Sequence, residues 1–269
     1  EANIAQALSN LHGCAQTVFV VDSGSTDRTV EIAESMGVTV LHNPWPGYAK
    51  QVNWALENGP IETEWVLRLD ADEYLTPELA AELERVLAKA PTNINGYYIK
   101  RRFYFLGRWI RYGGYYPIWI LRLFRHGKGY CEDVPINEHI AITEGDVGRL
   151  QHDLIHEDRK GLKDWLLKHE RYASLESEFR QKEAVRSTQR EAAIATPWKQ
   201  WIRKNVFVRL PMFMRPMMYF SYRYILRLGF LDRTPGLIYH FLHAFWYQFY
   251  IDARAWEMQH IQHTTHDRD

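Results

Sequence analysis

Two groups of carboxylates stand where short apolar runs end. Thr17–Val21 (TVFVV) runs into Asp22-Ser23-Gly24-Ser25, and Trp65–Leu69 (WVLRL) runs into Asp70-Ala71-Asp72-Glu73. Apolar runs of this length that stop at a polar turn read as buried strands. In open α/β sheets, ligands gather outside the carboxyl ends of strands. Two Asp at i and i+2 in a turn can face one hard cation, and Mg2+ or Mn2+ is commonly held by few carboxylates, with water and substrate phosphates completing the shell. Such a cation can neutralise a departing diphosphate. An acidic turn alone is a weak signal; its place after a strand and before a capped helix strengthens it.

A third stretch, Cys131-Glu132-Asp133-Val134-Pro135-Ile136-Asn137-Glu138-His139, offers carboxylates that could deprotonate an attacking hydroxyl. His152 and His156 come after it. A lone histidine is usually structural, and His152 reads that way. Trp109 and Tyr115 could stack against a ligand ring, although aromatic side chains more often pack in cores.

The elements that must position these residues alternate. Thr26 and Asp27 precede Val30, Ile32 and Ala33, giving a helix with a natural cap. Val38–Leu41 is the next strand, Gln51–Leu56 reads as helix, and Thr76-Pro77-Glu78 opens an amphipathic helix running to about Lys89. This rhythm predicts a doubly wound parallel sheet. Tyr97–Phe105, Ile118–Phe124 and Ile140–Thr143 are β-like, separated by turns such as Tyr112-Gly113-Gly114. Leu162–Glu191 reads as a long helix with a solvated, charged face.

The chain has 269 residues, 46% of them apolar, enough for one substantial core. Lys+Arg and Asp+Glu both total 33, so only the distribution of charge is informative. From Pro197 to Glu257 nine Lys/Arg stand against three Asp/Glu, among seventeen aromatic residues. No run there reaches the roughly 18–20 apolar residues of a spanning helix. The profile fits helices lying among lipid headgroups; the alternative is a helical subdomain packed on the core or on a second subunit. The acidic candidate site argues against a nucleic-acid partner. Cys14 and Cys131 lack CxxC spacing, which excludes a disulfide framework and fits a reducing compartment.

Together, Val20-Val21-Asp22-Ser23-Gly24-Ser25-Thr26-Asp27-Arg28-Thr29 and Leu69-Asp70-Ala71-Asp72-Glu73 resemble the family 2 glycosyltransferases. The bacterial members that build lipopolysaccharide cores and exopolysaccharides are the nearest in pattern. The resemblance implies an α/β GT-A fold, a Rossmann-like, doubly wound mixed sheet, over residues 1–160. A linking helix (161–196) and a basic, aromatic, membrane-associating helical extension (197–269) would come next. Members open with a strand ending in Thr-x-Asn-Glu-Glu. Glu1-Ala2-Asn3-Ile4 resembles the segment just after that turn, so the first strand is expected to be missing here.

Carried over by motif, Asp22 and Ser23 would meet the donor base, and Asp70 and Ala71 the ribose and diphosphate. Asp72 would hold the metal with His156 as a further ligand. Asp27 reads mostly as a helix cap. Lys50 and Asn53, in Pro46–Asn53, would lie beside the nucleotide, Lys50 reading equally as a solvated lysine. Arg122 would bind diphosphate or form a structural salt bridge. Aligned through Gly145-x-Val147-Gly148-x-Leu150, Glu138 falls on the family's catalytic carboxylate, with Asp133 as rival and Asn137 where a histidine is frequent. Trp109 and Tyr115 would line the acceptor side.

The implied activity is inverting, metal-dependent transfer of a hexosyl group from a nucleotide-sugar, UDP favoured, to a glycolipid or lipid-linked saccharide. It would take place at the cytoplasmic face of the bacterial inner membrane, the enzyme being peripheral. Two rivals remain: a sugar-phosphate nucleotidyltransferase, whose Gly-rich basic loop is not visible, and a non-catalytic membrane scaffold, against which Asp70, Asp72 and Glu138 count.

Overall fold

The computed structural model describes residues 1–11, 13–133, 139–183 and 211–261. The chain forms two units: Glu1–Arg111 with Tyr115–Lys160, and Tyr112–Gly114 with Gly161–Asp269.

The first unit opens with helix α1 (Ile4–Ser9), strand β1 (Phe19–Asp22), α2 (Thr29–Ser35) and β2 (Thr39–His42). β1 and β2 pair in parallel, with Asp22 opposite His42. Then come α3 (Tyr48–Asn58), β3 (Trp65–Leu67), β4 (Glu73–Leu75) and α4 (Pro77–Leu87). The remaining strands are β5 (Ile94–Phe105), β6 (Arg108–Trp109), β7 (Ile118–Arg125), β8 (Gly129–Cys131), β9 (Ile140–Ile142) and β10 (Asp146–Glu157). The main sheet runs β3-β7-β5-β10-β4, with β6 on β5, and β8–β9 form a separate antiparallel pair.

The sheet is mixed. β5 and β10 are parallel, whereas β3–β7, β5–β7, β5–β6 and β4–β10 are antiparallel. The parallel sheet expected from the strand–helix rhythm is therefore corrected, and the sheet is mixed as the family resemblance implies. Alternation in sequence shows that crossovers exist, but β3 takes as its partner a strand more than fifty residues later.

Alternation along the strands divides the core. Ile99, Leu123, Leu150 and Leu154 join Ile4 and Leu8 of α1, Ala33 of α2 and Leu79 and Leu83 of α4. Tyr98 and Leu121 instead join Ala49 of α3 and Cys131 and Ile140 of β8–β9. α4 begins as the sequence indicates: Thr76 Oγ1 accepts from Leu79 N at 3.1 Å, with Pro77 next in the chain. Leu79 is wholly buried, so Leu79→Ala would cost about 2–5 kcal/mol.

In the second unit, α5 (Leu162–Glu183), α6 (Met214–Ser221), α7 (Arg233–His240) and α8 (Tyr247–Ile261) are joined by π-helical turns at Tyr222–Leu226 and Phe241–Trp246 and a 3-10 turn at Gly229–Asp232. The end of the expected Leu162–Glu191 helix lies outside the described residues. Tyr247 and Tyr250 of α8 donate to Glu176 and Glu170 of α5 at 2.9 and 3.0 Å. Within α5 Trp165 stacks on His169 at 3.5 Å, and across to α7 Trp165 meets Tyr239 edge-on at 6.4 Å. Gly113 has φ +70°, and a Cβ there would fall 1.9 Å from the His240 ring. That close approach, not the turn alone, requires glycine.

The same unit displays apolar side chains outward. Met214, Met217, Met218, Tyr222, Ile225 and Leu226 recur at helical spacing and are all exposed, Leu226 at 73%. Between residues 211 and 231 the charged residues are Arg215, Arg223 and Arg227, with no Asp or Glu. Among the described residues, no helix is long and apolar enough to cross a membrane.

Candidate active site

Asp22 closes β1 and is buried, at 6% exposure. Its carboxylate accepts from Gly24 N at 2.8 Å and Ser25 N at 3.0 Å. Burial alone would raise its pKa, but these bonds and the Ser25 hydroxyl outweigh burial and hold it below the usual carboxylate range. An ionised acceptor is thus fixed at the strand end. His42 Nδ1 lies 3.7 Å away. Ser23 is exposed, and its hydroxyl accepts from Gln51 Nε2 at 2.9 Å. Gln51, which sequence reasoning missed, also accepts from Asn43 at 2.6 Å and so ties α3 to the β1–β2 edge.

The second acidic turn is held by cations. Arg122 Nη2 donates to Asp70 Oδ2 at 2.7 Å and to Glu73 Oε1 at 2.8 Å. Arg68 and Tyr48 also bond Asp70 and each other, and Asp70 N donates to Glu73 Oε2 at 3.1 Å. Arg122 reaches this position because it is the extra residue of a β-bulge. Tyr97 pairs with Leu123 and Tyr98 with Leu121, leaving Arg122 without an opposite residue on β5. Bulges beside sites commonly re-aim one side chain in this way.

Glu73 is wholly buried; burial first, and the Asp70 carboxylate second, push it well above the ordinary range. Burial pulls Arg122 down to about 10. Both shifts reflect the cost of desolvating the pair, which the bond between them offsets. Arg122 Nη2 is thus committed to two carboxylates, while its Nε is buried without a hydrogen-bond partner among the described residues.

Asp72 points elsewhere. His156 Nε2 lies 3.3 Å from Asp72 Oδ2, both side chains being largely buried. Glu157 N bonds Asp72 O at 2.9 Å, and His156 pairs with Glu73 across β4–β10, so the sheet fixes this meeting. His156 Nδ1 is buried without a hydrogen-bond partner among the described residues. An oxygen and a nitrogen donor side by side at a strand end fit a divalent cation, whose other positions substrate oxygens and water would fill. Among the described residues, no three His, Cys, Asp or Glu converge to enclose one.

A model of the family described as Glycosyl transferase family 2 matches residues 1–140. That span carries both acidic turns. The chain belongs to this glycosyltransferase family. It is 34% identical over 190 residues to the lipopolysaccharide core biosynthesis glycosyltransferase LpsC of Rhizobium meliloti, covering 66% of this chain and 67% of that protein. An uncharacterized glycosyltransferase of Rickettsia bellii is 44% identical over 87 residues, 32% of this chain and 29% of its own length. The Staphylococcus aureus TarS 1–349 structure overlaps 96% of this chain and 87% of its own at a TM-score of 0.44 and 14% identity.

The glycosyltransferase's remaining candidates occupy varied settings. Lys50 and Ala71 are exposed. Asn53 donates to Cys131 O at 2.9 Å and accepts from Cys131 N at 2.8 Å, so both ends of its amide anchor β8. Asp133, just beyond β8, is exposed, while Glu138 lies outside the described residues. On either side of the undescribed residues, β8 pairs with β9 and Glu132 lies 2.9 Å from His139 Nε2. His152 is structural, in line with the sequence: its ring and backbone N meet Glu82 of α4 at 2.8 and 2.9 Å. Asp27 accepts from Thr29 N at 3.1 Å in the first turn of α2. Trp109 is half-buried, but Tyr115 is buried at 6%.

Proposed function

We propose that this glycosyltransferase carries out inverting, metal-dependent transfer of a hexosyl group from a nucleotide-sugar, UDP favoured, to a lipid-linked saccharide. The placement of Asp72 beside His156, two residues beyond Asp70 and under the family motif, carries the reading. Asp22 would accept a hydrogen bond from the base, with Ser23, Lys50 and Asn53 flanking the nucleotide and Asp70 and Ala71 nearer the ribose and diphosphate. Asp72 and His156 would hold Mg2+ or Mn2+, whose charge would stabilise the departing diphosphate. A carboxylate of the stretch between β8 and β9, Glu138 or its rival Asp133, would take the proton from the acceptor hydroxyl. That oxygen would bond the anomeric carbon as the bond to diphosphate breaks.

The kinship with LpsC supports a lipopolysaccharide-core acceptor, and the exposed stripe of α6 supports work at the inner membrane's cytoplasmic face. Arginines flank that stripe without acidic residues between 211 and 231, matching anionic headgroups in charge. Donor hydrolysis tests the reading: wild type should release UDP from UDP-hexose with Mn2+, and Asp72→Ala should lose at least a hundredfold. Equal rates in the two would refute it.

A further inference from the structure

The open part of the sheet carries a connected set of cations and aromatic rings that the transfer chemistry above does not use. On β5 and β10, Asp153 is 3% exposed and gathers Arg102 at 2.6 Å, Lys100 at 3.4 Å and the Tyr116 hydroxyl at 3.1 Å. Arg102 lies over one aromatic neighbour, Trp109, at 4.9 Å, and Arg111 lies over the same ring at 5.3 Å. Trp109 meets Tyr116 edge-on at 4.9 Å. On the other side, Lys100 and Arg149 approach Trp119 at 5.9 and 5.1 Å. These contacts join four cations to one carboxylate, a surplus of about three positive charges. Arg111 and Arg149 are exposed, and Lys100, Arg102, Trp109 and Trp119 half-buried.

The place of this set matters as much as its charge. Cys131 and Ile140, which bound the segment bearing Asp133 and Glu138, pack on Tyr98 and Leu121. Two residues along the same strands, on the same face, Lys100 pairs with Trp119. The step is about 7 Å, roughly the width of one sugar ring. Asp22, at the β1–β2 edge, stands in a different sheet.

We propose that Lys100, Arg102, Arg111 and Arg149, with Trp109 and Trp119, form an acceptor subsite for a saccharide bearing an anionic substituent, a phosphate or a carboxylate. The rings offer apolar faces to a sugar. The arginines offer planar, paired donors to the anion. Asp153 holds Arg102 and Lys100 in place and is a positioning residue. The proposal rests on the transferase reading, because it takes the base-bearing loop as the neighbour.

The test uses the full chain, with mannose 6-phosphate, galacturonate, mannose and inorganic phosphate as probes and the indole N–H signals of Trp109 and Trp119 as the readout. UDP with Mn2+ is titrated into the same samples. Mannose 6-phosphate or galacturonate should bind at least tenfold tighter than mannose, and the tighter of the two identifies the anionic group. Arg111→Ala with Arg149→Ala should weaken that binding about tenfold while UDP binding stays unchanged; both residues are exposed, so the variant should fold. Mannose binding as tightly as the charged sugars, or a double variant binding undiminished, would overturn the subsite. Inorganic phosphate matching mannose 6-phosphate would leave a bare anion site and also overturn it. Loss of UDP binding in wild type would instead refute the transferase reading, whatever the sugars do.

Discussion

The two units of this chain differ in what they bury and what they expose. The first buries paired charge, Arg122 between Asp70 and Glu73 and Glu82 on the backbone of β10, beside an aliphatic core of Leu79, Ile99, Leu123 and Leu154. The second buries aromatic rings and histidines and turns Met217, Ile225 and Leu226 outward. Buried ion pairs add little net stability against an apolar alternative, but losing one partner is expensive. The first unit therefore gives up stability to fix carboxylates, as a polar ligand requires. The second leaves apolar surface unburied, which suits contact with an apolar surface outside the chain.

Breaking the ion pairs should give the largest effect. Arg122→Ala leaves Glu73 and Asp70 without their shared cation and should cost about 3–5 kcal/mol, read by denaturant unfolding. A cost below about 1 kcal/mol would show that the pair is not what fixes the turn.

Acid should separate the units next. Burial pulls His169 and His240 down to about 4 and His243 to about 3. Between those values and the unfolded value near 6.5, the unfolded chain binds protons that the folded rings refuse, so stability falls as pH drops through that window. Asp22 and Glu82, held low by their bonds, lose their contribution only as pH falls below the ordinary carboxylate range. Region-resolved hydrogen exchange from pH 7 to 4 should show α5, α7 and α8 losing protection before β1 and α4. The reverse order would contradict this contrast between the units.

Two smaller effects should separate the units further. Met217→Asp with Leu226→Asp should weaken sedimentation with anionic vesicles about tenfold and leave the melting temperature within a degree or two. Asn53→Ala should cost about 1–2 kcal/mol, because Cys131 N and O lose their partners, and should lower turnover if the segment after β8 carries the proposed base.

Local signals made part of this legible. Thr76-Pro77 announced α4, and the apolar runs before Asp22 and Asp70 announced strand ends, because caps and turns are written within a few residues. β4 and β10 were not legible. Glu73, His152 and His156 interrupt any apolar alternation there, and their burial depends on Arg122, Glu82 and Asp72, residues distant in sequence. The Arg122 bulge is likewise a matter of register between β5 and β7, with no sequence signature of its own. Arg68 and Tyr48 were missed because a residue two before an Asp and another twenty-two before it carry no spacing signal; only the fold brings them together.

The proposed metal-assisted donor site is tested most directly by calorimetric titration of UDP, with and without Mn2+, into wild type and into Asp72→Ala and His156→Ala. Mn2+ should tighten UDP binding at least tenfold in wild type, and each variant should lose this gain while keeping its fold. Metal-independent UDP binding, equal in all three proteins, would contradict the assignment of Asp72 and His156 to the metal.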